Sequence, residues 1–408
     1  MKVRTLKEQF RIQDEILQEK LEVLVGPLME ECNIDVWLIP SKEYNEDPIF
    51  EKLTPSGYPT ARRLTILVLH RENGKLHSYS VSMRDHSLDK FYTPFWDKEK
   101  ESQFQALIRL FKQLNPQTIG LNYSMNYAYC DGLSVGLLEL LKQELPEEWT
   151  KRFVSAEPLA IRFLETRSPL EEKYWPEVMD VACDVINSMY HRETVIPGQT
   201  SCSDLEWFMM EQVNQKGLKF WFPPTLDLQR KDGLHSGNTI IVEGDLLHCD
   251  FGIEYLGLCT DTQRLAYVKR EGELSVPKRL IDGMQQNNRF QDIVCKNFKI
   301  SVSGNEVFTR SLVKAKQENI KAMLYSHPLG LHGHAAGPTI GLYSDQNPQP
   351  LKGDLLIHNR TGYALELNTT INIEGYDNPV TFFTEESIFF IDSNVKYLAE
   401  GRETIIEI

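Results

Sequence analysis

Apolar residues at Trp175, Val178, Met179, Ala182, Val185, Ile186, Met189 and Tyr190 recur at helical spacing, which predicts a long amphipathic helix. Ser168-Pro169-Leu170-Glu171 stands just ahead of it, a capping box with Pro at the first helical position. A second box, Ser203 to Glu206, predicts another helix, stopped by Gly217. Strand signals then dominate to about Val268. Helical ones run from Pro277 to Met323, with a third box at Ser303 to Glu306, and strands return to the end.

The first third of the chain has a different rhythm. MKVRTLKEQFRIQDEILQEK reads as a charged amphipathic helix, IDVWLIP as a short buried strand, and RRLTILVLHRENGKLHSYSVS as a hairpin turning at Asn-Gly. QTIGLNYS predicts a further strand and GLSVGLLELLKQEL a helix, while the Pro- and Gly-punctuated SKEYNEDPIFEKLTPSGYPTARR predicts a loop. The change of pattern divides the chain into an α/β domain over residues 1–162 and a mixed helix-and-strand domain over 163–408. Gly132-Leu133-Ser134-Val135-Gly136 fits the G-x-S-x-G nucleophile elbow, but that turn needs an apolar strand before it and MNYAYCD is not one. Asp131 is the expected cap of the helix that follows.

Composition narrows the function. A formal net charge of −14 excludes nucleic acid as the main partner, since phosphate binding requires a basic face. No apolar run approaches the ~18 residues that would cross a bilayer. The N-terminal stretch has no apolar h-region, and the seven cysteines are scattered without C-x-x-C spacing. These features predict reduced thiols and a cytoplasmic protein that is not bound to membrane.

LLHCDFGIEYLGLCTDTQRLAYV, from Leu246 to Val268, has the apolar density of a buried hairpin yet holds Asp250 and Asp261. With the turn at Tyr255-Leu256, Asp250 is expected to face Asp261. Directly opposed side chains on paired strands lie about 4.5–5.5 Å apart at Cβ, where like charges repel. A solvated hairpin, an acid pair sharing one proton, or a divalent metal site would each resolve this. The last requires ligands elsewhere, and candidates exist: His327 and His334 in SHPLGLHGHAAGP, Glu366 in TGYALELNTTINI, and Glu385-Glu386 in VTFFTEESIFFID.

These residues resemble the M24 metallopeptidase family that contains aminopeptidase P, prolidase and methionine aminopeptidase. Its G-D-x-x-x-x-D-x-G and S-D-x-T-R segments are matched by Gly244-Asp245, Asp250, Gly252 and Thr260-Asp261-Thr262-Gln263-Arg264. Its H-x-x-G-L-x-x-H is matched by His327, Gly330, Leu331 and His334. The resemblance, which covers residues ~165–408 well, implies an α+β protein: a C-terminal pita-bread fold, a curved antiparallel sheet with helices on its outer face, plus a smaller creatinase-like α/β domain.

It also implies two divalent ions, Mn²⁺ foremost with Co²⁺, Fe²⁺ or Zn²⁺ as alternatives. Asp250, Asp261, His327, Glu366 and Glu385 would hold them, with Asp261 and Glu385 bridging, Asp250 on one ion, and His327 with Glu366 on the other. Glu385 is preferred to Glu386 because the apolar S-I-F-F follows the pair as in the family. Catalytic roles fall to Glu366 as proton shuttle and to His334 and His235 as contacts to the scissile carbonyl or leaving amine, with His248 and His332 in support. The implied activity is an aminopeptidase or dipeptidase of Xaa-Pro type, cleaving the N-terminal bond of short peptides with a hydroxide bridging the metals, in a homodimer. A pita-bread binding protein without turnover and a creatinase-like amidinohydrolase are the alternatives. The chain departs from the family at Gln263, where Thr is usual, at Asn368-Thr369, which replace Pro-Gly, and at Phe383, where prolyl-specific members carry Arg.

Overall fold

The computed structural model describes residues 2–408. Residues 4–170 form one compact unit, and 171–408 with Lys2 and Val3 form the other. The N-terminal unit holds a six-stranded sheet in the order 93–94, 75–81, 64–72, 36–42, 119–121 and 153–155. Its central strand Val36–Lys42 runs antiparallel to Leu64–Glu72 and parallel to Ile119–Leu121. Val36, Leu38, Ile66 and Val68 form a core with Leu107, Leu110 and Phe111 of the helix Gln103–Leu114 and with Leu137 and Leu141 of Val135–Glu144.

Two local expectations fail here for the same reason. The polar 41–63 stretch contains a short helix, Pro48–Leu53, because Asp47 accepts from Ile49 N–H and Pro48 presets its first turn. Ser134, not Asp131, caps the helix Val135–Glu144: its hydroxyl accepts from Leu137 N–H, while Asp131 accepts from Ser124 N–H. The serine of the G-x-S-x-G match is thus a cap.

The C-terminal unit is built on a ten-stranded sheet that curls into a half-barrel: seven strands run in the order 322–324, 361–371, 380–391, 262–267, 246–251, 225–230, 233–236, and 327–328, 394–397 and 406–407 pair beside 361–371, 380–391 and 262–267. Side chains alternate between its faces. Along Thr361–Ile371, Tyr363, Leu365 and Leu367 pack with Phe290 and Val294 of the helix Lys278–Asn297 and Phe308 of Gly304–Gln317. Ala364 and Glu366 between them point the other way. The expected pita-bread architecture is therefore present. The long helix Pro169–Met189 begins where predicted, but the next is capped by Ser201, with Asp204 completing the box. Glu206 instead accepts from Leu226 N–H.

The hairpin also turns one residue later than expected. Tyr255 pairs with Leu258, leaving Leu256 and Gly257 as a two-residue turn with φ 54° and 75°. Positive φ at both central residues defines the type I′ turn that matches strand twist, and Gly257 takes the second position without a steric penalty. Asp250 then opposes Gln263 rather than Asp261.

Behind this strand pair, on the face away from Asp250, Arg264 meets Glu386 in a two-pronged ion pair. Nη1 donates to Oε1 at 2.7 Å and Nη2 to Oε2 at 2.9 Å, with both side chains buried. Removing one member strands a buried charge, whereas replacing both with apolar groups does not. Arg264→Met alone is expected to destabilise the metal-free protein by about 3–5 kcal/mol. Arg264→Met combined with Glu386→Leu is expected to recover most of that loss. Urea unfolding of the three proteins measures it, and a single variant as stable as its parent would contradict the pairing.

Candidate metal centre

Strand register places the acidic residues before any side chain is considered. Asp250 opposes Gln263, Gln263 opposes Glu385, and Glu385 opposes Glu366. Residues opposed on paired strands share a face, so these four form one rung across four strands. A second rung lies two residues along. There Ser387 opposes Ala364, and Ala364 opposes His327. Asp261 joins this rung through Ser387, whose Oγ accepts from Asp261 N–H at 3.1 Å and donates to Asp261 O at 2.8 Å. Ala364 and Ser387 are small, which leaves space above them for the longer groups on either side.

The five expected ligand residues converge on that space. One ligand atom each from Asp261, His327 and Glu385 lies within 4.8 Å of the others, and so does one each from Asp250, Glu366 and Glu385. Glu385 belongs to both groups. Glu366 falls with Asp250, whereas the resemblance pairs it with His327. His327 Nδ1 donates to Pro328 O at 3.0 Å, which turns Nε2 toward Asp261 Oδ2 at 3.5 Å and Glu385 Oε1 at 3.7 Å. A backbone carbonyl on one ring nitrogen fixes the tautomer that leaves the other free to ligate. Glu386 points to Arg264 on the opposite face, as alternation requires of the residue after Glu385.

The electrostatics of this cluster are unfavourable as it stands. Burial, then the charges of Asp261 and Glu366, push the carboxyls of Asp250 and Glu385 well above the usual carboxylate range. Burial raises Glu366 to about 7, against the opposing pull of His327. Asp250 Oδ1, Asp261 Oδ1 and both carboxylate oxygens of Glu385 are buried without a hydrogen-bond partner. Orphaned buried acceptors of this kind carry their full desolvation penalty, and four carboxylates with one imidazole are a donor set suited to hard or borderline divalent ions. The residues present fit a pair of such ions.

The other expected residues divide. His334 stands beside the cluster, its ring 4.5 Å from that of His327 and at 85° to it. On its other side is Trp221, with ring centroids 5.2 Å apart. Trp221 is held by a hydrogen bond from Nε1 to Thr260 O at 2.8 Å and lies where a side chain at Gly252 would have to stand. His235 is not brought to the cluster. It opposes Leu228, which opposes Leu247, so it belongs to the row one residue out of step with Asp250, on the other face of these strands. Its Nε2 lies 2.9 Å from Asp232 Oδ1 at the hairpin end.

Sequence reasoning missed three residues that line the same face: Asp227, Gln263 as more than a departure, and Trp221. His248, expected only in support, is buried two residues before Asp250, with Nδ1 2.9 Å from Asp227 Oδ2. Burial lowers its pKa, but Asp227, Asp250 and Gln263 together raise it, for a net rise above the usual imidazole value. Alternation could have found Gln263 and His248, each two residues from an aspartate. Asp227 and Trp221 come from other segments and carry no local signal.

All seven cysteines are free, and among the described residues no helix is long and apolar enough to cross a membrane. Solved structures with this architecture include an X-Pro aminopeptidase from Thermotoga maritima, with 14% identity, TM-score 0.66, and coverage of 94% of this chain and 100% of that one. A Xaa-Pro dipeptidase from Bacillus anthracis gives 16%, 0.61, 98% and 100%. The N-terminal domain of FACT complex subunit SPT16 from Cicer arietinum is similar in fold to the same degree, at 11% and 0.62, with coverage of 98% and 99%. At these identities the likeness is one of fold. Comparison with curated proteins gives no match. The family model described as metallopeptidase family M24 matches residues 177–391, more than half of the chain and the part that carries all five converging residues, and the chain belongs to that family.

Proposed function

We propose that the protein is a two-metal aminopeptidase or dipeptidase that hydrolyses the N-terminal bond of short peptides, of Xaa-Pro type. The observation that carries this reading is the convergence of Asp250, Asp261, His327, Glu366 and Glu385 with orphaned carboxylate oxygens. A binding protein of the same shape has no need of acceptors left buried and unpaired. Bound divalent ions would supply activated water and polarise the scissile carbonyl. Mn²⁺ is the proposed metal, and a cytoplasmic homodimer the proposed setting.

The chain's own residues supply the proton chemistry. Glu366 is the carboxylate of the cluster grouped with Asp250 and Glu385 and tethered by a hydrogen bond from Gln263, and it is the proposed proton shuttle. It would take the proton of the attacking water and deliver it to the leaving amine. Burial and the adjacent His327 lower the pKa of His334, so its ring is neutral at pH 7 and can donate a hydrogen bond to the scissile carbonyl. Trp221 shields that side of the site from water. His235 has no role in this scheme.

Two outcomes are expected. In manganese-loaded protein, Asp261→Ala should abolish hydrolysis of Xaa-Pro dipeptides and remove at least one bound ion by elemental analysis. Wild-type turnover in that variant would end the hydrolase reading, and inactivity of the loaded parent on both Xaa-Pro and Met-Ala substrates would favour the binding protein. The second concerns pH. A carboxyl whose folded pKa is raised stabilises the fold below its unfolded pKa and loses that contribution as pH rises through the folded value. For Glu366 the window runs from the ordinary value of 4.5 to about 7. The melting temperature of chelator-treated protein should therefore fall across this window, and the rise produced by Mn²⁺ should be larger at its upper end, because cations bind the ionised groups. A Mn²⁺-induced rise independent of pH would contradict the assignment.

A further inference from the structure

Glu366 is the end of a buried polar chain that crosses the site face. Gln263 Nε2 donates to Glu366 Oε1 at 2.8 Å, His248 Nε2 donates to Gln263 Oε1 at 3.0 Å, and His248 Nδ1 stands 2.9 Å from Asp227 Oδ2. With Glu366 ionised, as a metal ligand must be, the direction of the first two bonds is forced. A carboxylate only accepts, so Gln263 must present its amide nitrogen to Glu366 and its oxygen to His248. Gln263 is 3% exposed and His248 6%, so neither has bulk water as an alternative partner. The Phe383 ring lies 5.1 Å from that of His248 and closes the chain from the side.

From this we infer that Gln263, itself held by His248 and Asp227, is a positioning residue for Glu366, and that it sets the rotation of that carboxylate toward Asp250 and Glu385. The inference rests on the two-ion reading of the centre. A glutamate side chain has three rotatable bonds and would otherwise sweep several orientations on its strand. Ligating carboxylates are commonly held by a hydrogen bond from outside the ligand set, and loss of such a partner costs about 10–100-fold in metal affinity. Here the tether begins on the strand Thr225–Arg230, two strands away from Gln263.

The test is Mn²⁺ binding by calorimetry on chelator-treated full-length protein, which needs no turnover. Gln263→Leu keeps a branched side chain one heavy atom shorter and removes both hydrogen bonds. It should weaken one of the two Mn²⁺ sites by about 10–100-fold, with the other affected far less. Asp227→Asn should weaken the same site. The double variant should bind no more weakly than Gln263→Leu alone, because Asp227 acts only through the amide. Unchanged binding in Gln263→Leu would overturn the inference, and so would additive losses in the double variant. Should Gln263→Leu fail to fold, Gln263→Thr, whose hydroxyl is too short to reach Glu366, replaces it with the same expected loss. Absence of a second Mn²⁺ in the parent protein would overturn the two-ion reading as well, which separates the two failures.

Discussion

Mutual repulsion among four carboxylates on one face of a sheet is the constraint from which the rest of the C-terminal unit follows. Asp250, Glu385 and Glu366 occupy one rung and Asp261 the next, at distances where ionised groups in a poorly solvated site cannot coexist unaided. Protonating some of them is one escape, and the raised pKa values show how far the metal-free cluster goes in that direction. Binding cations is the other, and it alone gives partners to the orphaned oxygens. His327, its Nδ1 bonded to Pro328 O, turns Nε2 toward the same space as a nitrogen ligand.

Such a cluster survives only on a scaffold made rigid by other means. The opposite face supplies it through Leu365, Leu367 and Ile388 packed against two helices, and through the Arg264–Glu386 pair. Adjacent residues therefore have opposite fates. The carboxylate of Glu385 is left without hydrogen bonds, while that of Glu386 receives two from one guanidinium. Arg264 is thus committed on the opposite face and is not available to neutralise the site. A cationic side chain among the carboxylates would stabilise the empty protein and abolish its affinity for metal.

Much of the centre was legible from alternation alone. Slipping the Leu246–Val268 hairpin by two residues left Asp250 and Asp261 on the same face, because the strand period is two. The wrong register thus still gave the right convergence. His235 fails for the same reason in reverse, since it lies one residue out of step on its strand. Caps misled where two candidates lie close together: Ser201 with Asp204 outcompetes Ser203 with Glu206, and Ser134 outcompetes Asp131. Neither choice is decided by the local sequence. Asp227 and Trp221 were illegible because their partners lie in distant segments, reached only once the sheet has formed.

The departures from the family pattern at Gln263 and Phe383 look independent along the chain, yet they meet at one ring. Phe383 packs beside His248, and His248 donates to Gln263. With the family's threonine at 263, His248 Nε2 would lose its acceptor inside a buried site, a loss of about 1–3 kcal/mol. With the arginine of prolyl-specific members at 383, a guanidinium would lie against the imidazole and compete with it for Asp227. Each departure is compatible with His248 and with the other, and neither is compatible with its family counterpart. The three side chains are better understood as one packed unit than as separate losses, and this unit sets an aromatic ring, an imidazole and an amide beside the carboxylates.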